Sequence, residues 1–254
     1  CGLMSAQFEA MVKRMHSGMA ARSGVLAAAL AGAGFTGIKR VLERDFGGFV
    51  GTFCGVDPFD LSRLTNGLGS QWEVMRIAVK PAYSAMAGTH SAIEGALKLR
   101  AIPGFSVDQV KEIRIGTTEA MLHHGGFRLE RPATAIGAQM SHCYVVAVTL
   151  IDGSPSVPQF SPERINSDDV WKLLARISAY QDREIDSRGE EGRWGTRLIA
   201  TFIDGRIEEI EVKFPKGGPK YPISNEEIVL KYDRLAALVM KPGHAALLKD
   251  MVLG

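Results

Sequence analysis

Apolar residues recur at steps of three and four along the first part of the chain, as Met4, Phe8 and Met11 illustrate. Such steps place side chains on one face of an α-helix. The pattern therefore predicts helical structure over residues 3–33, with a break near Gly18 where two helices are expected to meet. The first part of the chain is thus predicted to be helical.

Two shorter signals follow this helical region. Gly34 is expected to end it, because glycine adopts positive φ without steric cost. Thr36 can cap a short helix, which we expect over residues 38–42. Near residue 70 the pattern changes to a partial alternation of apolar and polar residues, which is typical of strands. A mixed region of strands and helices is therefore expected to begin there.

The mixed region contains several segments with strand or helix periodicity. The turn Asp204-Gly205 is expected to join two of the strands in a hairpin. After a linker rich in Pro and Gly, Ser224 and Glu227 form a capping-box pattern that begins a final helix. Strands are predicted over 72–79, 110–115, 196–202 and 207–214, and helices over 91–99, 136–150 and 168–177.

This order of elements predicts an α+β fold in which a mixed block is inserted into a mostly helical body. We expect residues 1–75 and 219–254 to form the helical body, and residues 76–218 to form the inserted block. With 254 residues, the chain is long enough to bury a core without the help of disulfides.

Composition and charge exclude several classes of protein. The net charge is +2 without a block of Lys or Arg, so neither nucleic acid nor a membrane is expected as a partner. The longest apolar run, residues 24–35, is shorter than the ~20 residues that a membrane span needs. Cys1, Cys54 and Cys143 lack metal-ligand spacing and are expected to be reduced thiols, which predicts a cytoplasmic protein.

Motifs of the common nucleotide-dependent, zinc-dependent and serine enzymes do not occur in the sequence. It contains no phosphate-binding glycine loop, no CxxC pair and no nucleophilic serine elbow. His123 and His124 are adjacent and would point about 100° apart on a helix, which makes them poor ligands for one ion. We therefore predict no metal site, and a solvated loop at this histidine pair.

Lys13 and His16 form the first of two clusters that could carry chemistry. They are three residues apart and share one face of the predicted helix. A lysine can bind a carboxylate, and a histidine can move a proton near neutral pH. The alternative is an ordinary surface lysine beside a histidine that caps a helix.

The second cluster follows the predicted strand that ends at residue 79. Lys80 stands at the end of that strand, Tyr83 lies shortly after it, and Thr89 and His90 begin the next helix, where amide donors favour anions. The alternative is a strand-end lysine and a threonine that caps the helix. Both clusters offer cations and proton carriers without a companion carboxylate, which suits a substrate that brings several carboxylates itself.

Four segments of the chain carry motifs of a known family. They are Cys1–Phe49, which includes KRMHSG, then Lys80-Pro81, then Thr89–Ile93, and then RPATAIGAQMSHCYVVAVTLIDG at residues 131–153. These segments resemble the MmgE/PrpD family and, within it, the cis-aconitate decarboxylases. The resemblance covers most of the chain, fades between residues 155 and 200, and returns weakly towards the end.

The resemblance implies a helical domain that is split in sequence, an inserted α+β lid domain, and an active site between the two. It implies a lyase that acts on a tricarboxylate without an organic cofactor, and we expect a homodimer. Lys13 and Lys80 match the two active-site lysines of the family, and His16 matches a histidine of the same motif. We expect Lys13, His16 and Lys80 to be catalytic, and Lys13, Lys80, Tyr83, Thr89 and His90 to bind substrate.

Family members carry further Asp and His residues on N-terminal helices that find no match in this chain. The sequence is therefore interpreted as a C-terminal portion, truncated at the N-terminus, that is inactive alone. Decarboxylation of cis-aconitate to itaconate is the favoured reaction. Dehydration of a 2-methylcitrate-like substrate is one alternative, because both reactions start from a cationic pocket. A non-catalytic module that binds a polycarboxylate or a partner subunit is the other alternative.

Overall fold

The computed structural model describes residues 12–54, 59–72, 74 and 77–253. The chain divides at Arg76 into two compact units. The first unit contains the described residues up to position 74, and the second unit contains those from Ile77 onward. Residues 3–11 of the first predicted helix lie outside the described residues.

The first unit is built from a long helix and short turns. Helix α1 spans Val12–Gly32, α2 spans Phe49–Phe53, and a 3₁₀ turn spans Leu61–Leu64. The predicted break at Gly18 is wrong, because α1 runs through it. One glycine among alanines and other good helix formers costs about 1 kcal/mol, which is too little to stop a helix.

The end of α1 was predicted correctly, but the short helix after it was not. Gly34 has a φ of 86°, and the Phe35 amide donates to the Leu30 carbonyl, which closes the helix end. The helix predicted over 38–42 is wrong, because residues 39–43 form turns. Arg40 has a φ of 53°, and this left-handed conformation is incompatible with a right-handed helix.

The second unit contains a four-stranded sheet and nine α-helices among its described residues. The strands are β1 (Val110–Thr117), β2 (Ile177–Gln181), β3 (Thr196–Phe202) and β4 (Ile207–Val212). The helices are α3 (His90–Arg100), α4 (Glu119–Gly125), α5 (Ala135–Met140), α6 (His142–Asp152), α7 (Pro162–Ile165), α8 (Asp168–Leu174), α9 (Arg183–Asp186), α10 (Asn225–Ala236) and α11 (Pro242–Leu253). This mixture of a sheet and separate helices confirms the predicted α+β class.

The strands are ordered β2-β1-β3-β4 across the sheet. β1 pairs with β2 in parallel, with Ile113 opposite Ile177, and the other two pairings are antiparallel. The β3–β4 pair is the predicted hairpin, and Gly205 in its turn has a φ of 88°. Parallel pairing requires a long crossover, and α4 to α8 supply it between β1 and β2.

Helices α3 and α6 pack against each other and against the sheet. Every second residue of β3 is buried, as expected for a strand with one covered face. α3 approaches β3 so closely that a Cβ atom at Gly95 would overlap the Leu198 side chain. The core of the second unit therefore lies between these two helices and the sheet, with Leu150, Ile93 and Phe202 among its buried members.

Several predicted elements of the second unit need correction. The apolar run 136–150 is two helices, because Ser141 has an extended ψ of 120° and its side chain accepts the Tyr144 amide. The helix predicted over 168–177 ends at Leu174, since Ile177 starts β2. The final helix is also two helices, α10 and α11, and the second begins at Pro242. A proline is favoured at a helix start because it lacks the amide hydrogen that would stay unpaired there.

The strand predicted over 72–79 is wrong for the residues that the structure describes there. Val74 lies in a 3₁₀ turn, and residues 77–79 have no regular structure. Val79 donates its amide to the Gly217 carbonyl oxygen, and no strand among the described residues lies beside it. The packing of residues 219–254 with residues 1–75 stays a prediction. Among the described residues, no helix is both long enough and apolar enough to cross a bilayer.

Candidate functional site

Residues 79–86, here called the Lys80 segment, contain Lys80 and Tyr83 and lead into the turn before α3. The segment has no regular secondary structure, so contacts with other parts of the second unit hold its backbone. These contacts include hydrogen bonds from Val79 N to Gly217 O at 2.8 Å, from Ser84 N to Pro155 O at 2.9 Å, and from Met86 N to Gln139 O at 2.9 Å.

Lys80 and His90 converge on one acceptor. Lys80 Nζ donates to the carbonyl oxygen of Ala85 at 3.2 Å, and His90 Nε2 lies 3.4 Å from the same oxygen. Two donors on one carbonyl oxygen must be close to each other. The structure therefore places the predicted lysine and histidine in one cluster.

His90 is held in its neutral form. Burial is the main cause that lowers the pKa of His90, to about 4, and the charges of Lys80 and Lys231 lower it further. Since a carbonyl oxygen only accepts hydrogen bonds, Nε2 carries the proton and Nδ1 carries the lone pair. At neutral pH, His90 is therefore neither an imidazolium acid nor a strong base, and its Nδ1 can accept a hydrogen bond.

Tyr83 stands edge-on to the His90 ring. The ring centroids are 5.3 Å apart and the rings are almost perpendicular, at 89°. Burial, followed by the charges of Glu94 and Glu227, raises the pKa of Tyr83 well above its ordinary value. Tyr83 therefore stays a neutral phenol that can donate a hydrogen bond, and its ring fixes the orientation of the imidazole.

Thr89 is fully buried in the 3₁₀ turn Ala87–Thr89, directly before α3. Its hydroxyl donates to the Met86 carbonyl oxygen at 2.8 Å. The alternative that its side chain caps α3 is wrong, because that side chain makes no cap hydrogen bond. Its predicted contact with substrate stays a prediction.

Glu94 is a carboxylate that the sequence analysis missed. It lies four residues after His90 on α3 and is 8% exposed. Burial raises the pKa of Glu94, while the hydrogen bond from the Lys216 amide and the charge of Lys216 oppose that rise. Glu94 also contributes to the raised pKa of Tyr83, which indicates that a carboxylate lies near the predicted cluster. Helical periodicity places residues four apart on one face, so the position of Glu94 on the His90 face of α3 was readable from the sequence.

Lys13 and His16 belong to the first unit, one turn apart on α1. Lys13 is exposed and His16 is half-buried. The helical spacing that predicted their shared face is confirmed. The structure groups the other four predicted residues, Lys80, Tyr83, Thr89 and His90, in the second unit.

The predicted loop at His123 and His124 is wrong. Both residues lie in α4, which Thr118 caps by accepting the Met121 amide with its side chain. Within the described ranges, no three His, Cys, Asp or Glu side chains are grouped closely enough to hold a metal ion.

Comparison with known proteins places the chain in a family. The pattern of the MmgE/PrpD C-terminal domain matches residues 83–253, and that of the MmgE/PrpD N-terminal domain matches residues 1–62. The chain belongs to the MmgE/PrpD family. The resemblance seen in the sequence is thereby confirmed, and the α+β fold agrees with this family.

Three named relatives of the MmgE/PrpD chain are similar over much of its length. The cis-aconitate decarboxylase-like protein oryM of Aspergillus oryzae is 37% identical over 99% of the chain and 54% of its own length. The cis-aconitate decarboxylase of Aspergillus terreus is 33% identical over 100% of the chain and 54% of its own length. The mouse cis-aconitate decarboxylase is 28% identical over 65% of the chain and 34% of its own length. The chain thus spans about half the length of its fungal relatives.

Proposed function

We propose that the protein containing this chain is a lyase that acts on a tricarboxylate, and that its reaction is the decarboxylation of cis-aconitate to itaconate. The observation that carries this proposal is the convergence of the Lys80 ammonium and the neutral His90 ring on the Ala85 carbonyl. It supplies a cation beside a neutral imidazole that can accept a hydrogen bond, in a family whose similar relatives are named cis-aconitate decarboxylases.

The charge of the substrate explains the need for lysines. A carboxylate that leaves water requires hydrogen bonds and opposite charge in return. We assign this role to Lys80 and Lys13, which match the family's active-site lysines. Thr89 and Tyr83 complete the proposed substrate-binding set, with Tyr83 as a hydrogen-bond donor and an orienting ring for His90.

Decarboxylation of cis-aconitate requires that the developing negative charge is stabilised and that a proton is delivered to carbon. When the bond between the chain carbon and the departing carboxylate breaks, carbon dioxide leaves and the electron pair spreads over the neighbouring double bond. A cation such as Lys80 lowers the energy of that charge. His90 stays neutral and carries no acidic imidazolium proton at neutral pH, so the proton that ends on carbon must come from another acid. We assign His16 to orientation or proton transfer.

We further propose that the protein is cytoplasmic and forms a homodimer. Support for association comes from large apolar side chains of the first unit that are exposed in this chain, including Val25, Phe35 and Phe46. Apolar patches rimmed by polar residues normally mark interfaces.

The test is a product assay on the full-length product of the gene that encodes this chain. Incubation with ¹³C-labelled cis-aconitate should release labelled carbon dioxide and yield itaconate in the NMR spectrum. If the protein removes water from a 2-methylcitrate-type substrate and leaves cis-aconitate unchanged, it is a hydro-lyase and the proposed decarboxylase activity is wrong. Binding of both substrates without turnover of either would indicate the non-catalytic module and contradict the enzyme.

A further inference from the structure

The backbone on both sides of Lys80 is held by groups that are distant in the sequence. Before it, the Val79 amide donates to the Gly217 carbonyl oxygen at 2.8 Å. After it, Lys231 Nζ on α10 donates to the carbonyl oxygen of Lys80 itself at 2.8 Å. The direction in which the Lys80 side chain leaves the backbone therefore depends on the 215–221 turn and on α10.

The 215–221 turn is itself anchored to α3 and to α10. Glu94 Oε1 on α3 accepts the Lys216 amide at 3.1 Å. The Lys216 ammonium forms an ion pair with Glu227 on α10. A continuous series of contacts therefore runs from α3, which also carries His90, through this turn to the helix that holds Lys231.

Gly217 lies where this turn approaches the Lys80 segment most tightly. Its φ is 97°, which favours glycine, and a Cβ atom there would overlap the Val79 carbonyl oxygen and crowd the Pro81 ring. The residue is buried. Both the conformation and the close approach therefore require a glycine at this position.

We propose that Lys231, together with the turn that Glu94 anchors, positions Lys80 for substrate. Lys231 is a positioning residue in this proposal, because its ammonium bonds the backbone of Lys80 and acts through that residue. The inference rests on the proposed function, in which Lys80 binds a carboxylate. A lysine on an irregular segment would otherwise sample many orientations, and fixing its backbone in advance lowers the entropy lost on binding.

The first test is a double-mutant cycle on the full-length gene product with cis-aconitate as substrate. Lys231→Met should raise KM about 5- to 10-fold, the effect of losing one hydrogen bond. Lys231→Arg, which keeps a donor and the charge, should recover most of this loss. The matched control is Lys241→Met, since Lys241 is exposed between α10 and α11.

The decisive comparison is made in the Lys80→Met background. If Lys231 acts through Lys80, Lys231→Met should change KM no further there. An equal loss in both backgrounds would mean that Lys231 contacts substrate on its own account, and it would overturn the positioning role. An unchanged KM for Lys231→Met in the otherwise native protein would overturn it as well.

A second readout needs no substrate and separates this inference from the proposed function. Hydrogen exchange of the Val79 amide reports whether its bond to Gly217 stays closed. Lys231→Met should speed this exchange about tenfold, as expected for losing about 1.4 kcal/mol of local stability, whereas Lys241→Met should not. An unchanged exchange rate of the Val79 amide in Lys231→Met would contradict the positioning role of Lys231, whatever the substrate is. Full activity of Lys80→Met would instead contradict the proposed function, and the role of Lys231 in catalysis with it.

Discussion

Helices α3 and α6 of the second unit bury most of their large apolar side chains against the sheet, whereas the first unit, like α11 of the second, leaves many of them in contact with solvent. Leu150 and Ile93 of the second unit are completely buried between helix and sheet. In the first unit, Val25 on α1 is 73% exposed and Phe46 is 94% exposed. Both units show helical periodicity in sequence, so periodicity alone does not decide whether a helix finds a surface to cover it.

The difference shows where each unit obtains its stability. A helix in water gains most of its stability from packing an apolar face rather than from intrinsic propensity. The second unit supplies such packing from its own sheet, and its candidate site is therefore held by contacts that can be named. The first unit places Lys13 and His16 on a helix whose large apolar side chains, such as Val25 and Leu26, are exposed.

The largest expected effect comes from truncating matched leucines in the two units. Leu150→Ala should lower the free energy of unfolding by about 2–5 kcal/mol, because it leaves a cavity in a closed core. Leu26→Ala on α1, where the side chain is 54% exposed, should change it by less than about 0.5 kcal/mol. Chemical denaturation in dilute solution measures both. Equal losses of free energy of unfolding in the two variants would show that α1 is covered in solution, and they would remove the contrast between the two units.

The next effect separates backbone strain from close packing. Gly217→Ala should lower the free energy of unfolding by about 3 kcal/mol, since it combines positive φ with overlap against Val79. Gly205→Ala has the same kind of strain, with a φ of 88° but open space around it, and should cost about 1 kcal/mol. Thermal unfolding checks the order. A smaller loss for Gly217→Ala would mean that the turn is not packed on the Lys80 segment.

A third effect depends on pH. His142 is fully buried on α6, and neither ring nitrogen has a hydrogen-bond partner among the described residues. Burial lowers the pKa of His142 to about 4, and the neighbouring Met121 backbone offsets this only in part. The unfolded chain, with a histidine pKa of about 6.5, takes up the proton first, so stability falls as the pH drops from 6.5 towards 4.

From pH 7 to pH 5 this loss amounts to about 2 kcal/mol for each such histidine. His90, with its pKa also lowered to about 4, should contribute in the same direction. His142→Leu should remove about half of the combined pH dependence, whereas His244→Leu at an exposed position of α11 should leave it unchanged. Urea unfolding across this pH range measures the free energy of unfolding at each pH. If this free energy falls as steeply with pH in His142→Leu as in the unmodified protein, the argument is contradicted.

The smallest effect concerns association through the first unit. We expect the 254-residue chain alone to self-associate through its exposed apolar side chains. Val25→Lys should weaken that association by about 1–2 kcal/mol, or roughly 5- to 30-fold in Kd. Sedimentation velocity measures the change. A monodisperse and stable monomer of the unmodified chain would show that these side chains need no cover.

Local chemistry made part of the fold predictable. The Ser224 capping box, the Asp204-Gly205 turn and the helix at residues 90–100 were all readable from neighbouring residues. The strand predicted over 72–79 failed because a strand needs a partner, which only tertiary structure provides. The single helix predicted over 136–150 failed because Ser141 offers the backbone an alternative hydrogen bond within an apolar run.

The residues of the candidate site were likewise predictable where they are neighbours in sequence and unpredictable where tertiary structure brings them together. Lys80, Tyr83 and His90 lie within eleven residues, so their proximity could be predicted from the sequence. Glu94 followed from helical periodicity but was overlooked. Lys231 lies 151 residues from Lys80, and no local sequence pattern predicts a hydrogen bond between them. The roles of Lys13 and His16 rest on the family resemblance, and they stay predictions.

The most direct test of the central claim is the steady-state kinetics of Lys80→Met in the full-length gene product with cis-aconitate as substrate. Methionine keeps the apolar stem and removes the charge, so a lost contact of ~2–3 kcal/mol should lower kcat/KM by about 30- to 150-fold. Lys111→Met, at an exposed position of β1 in the same unit, should retain full activity as the matched control. Full activity of both Lys80→Met and Lys13→Met would contradict the claim that these lysines bind the tricarboxylate.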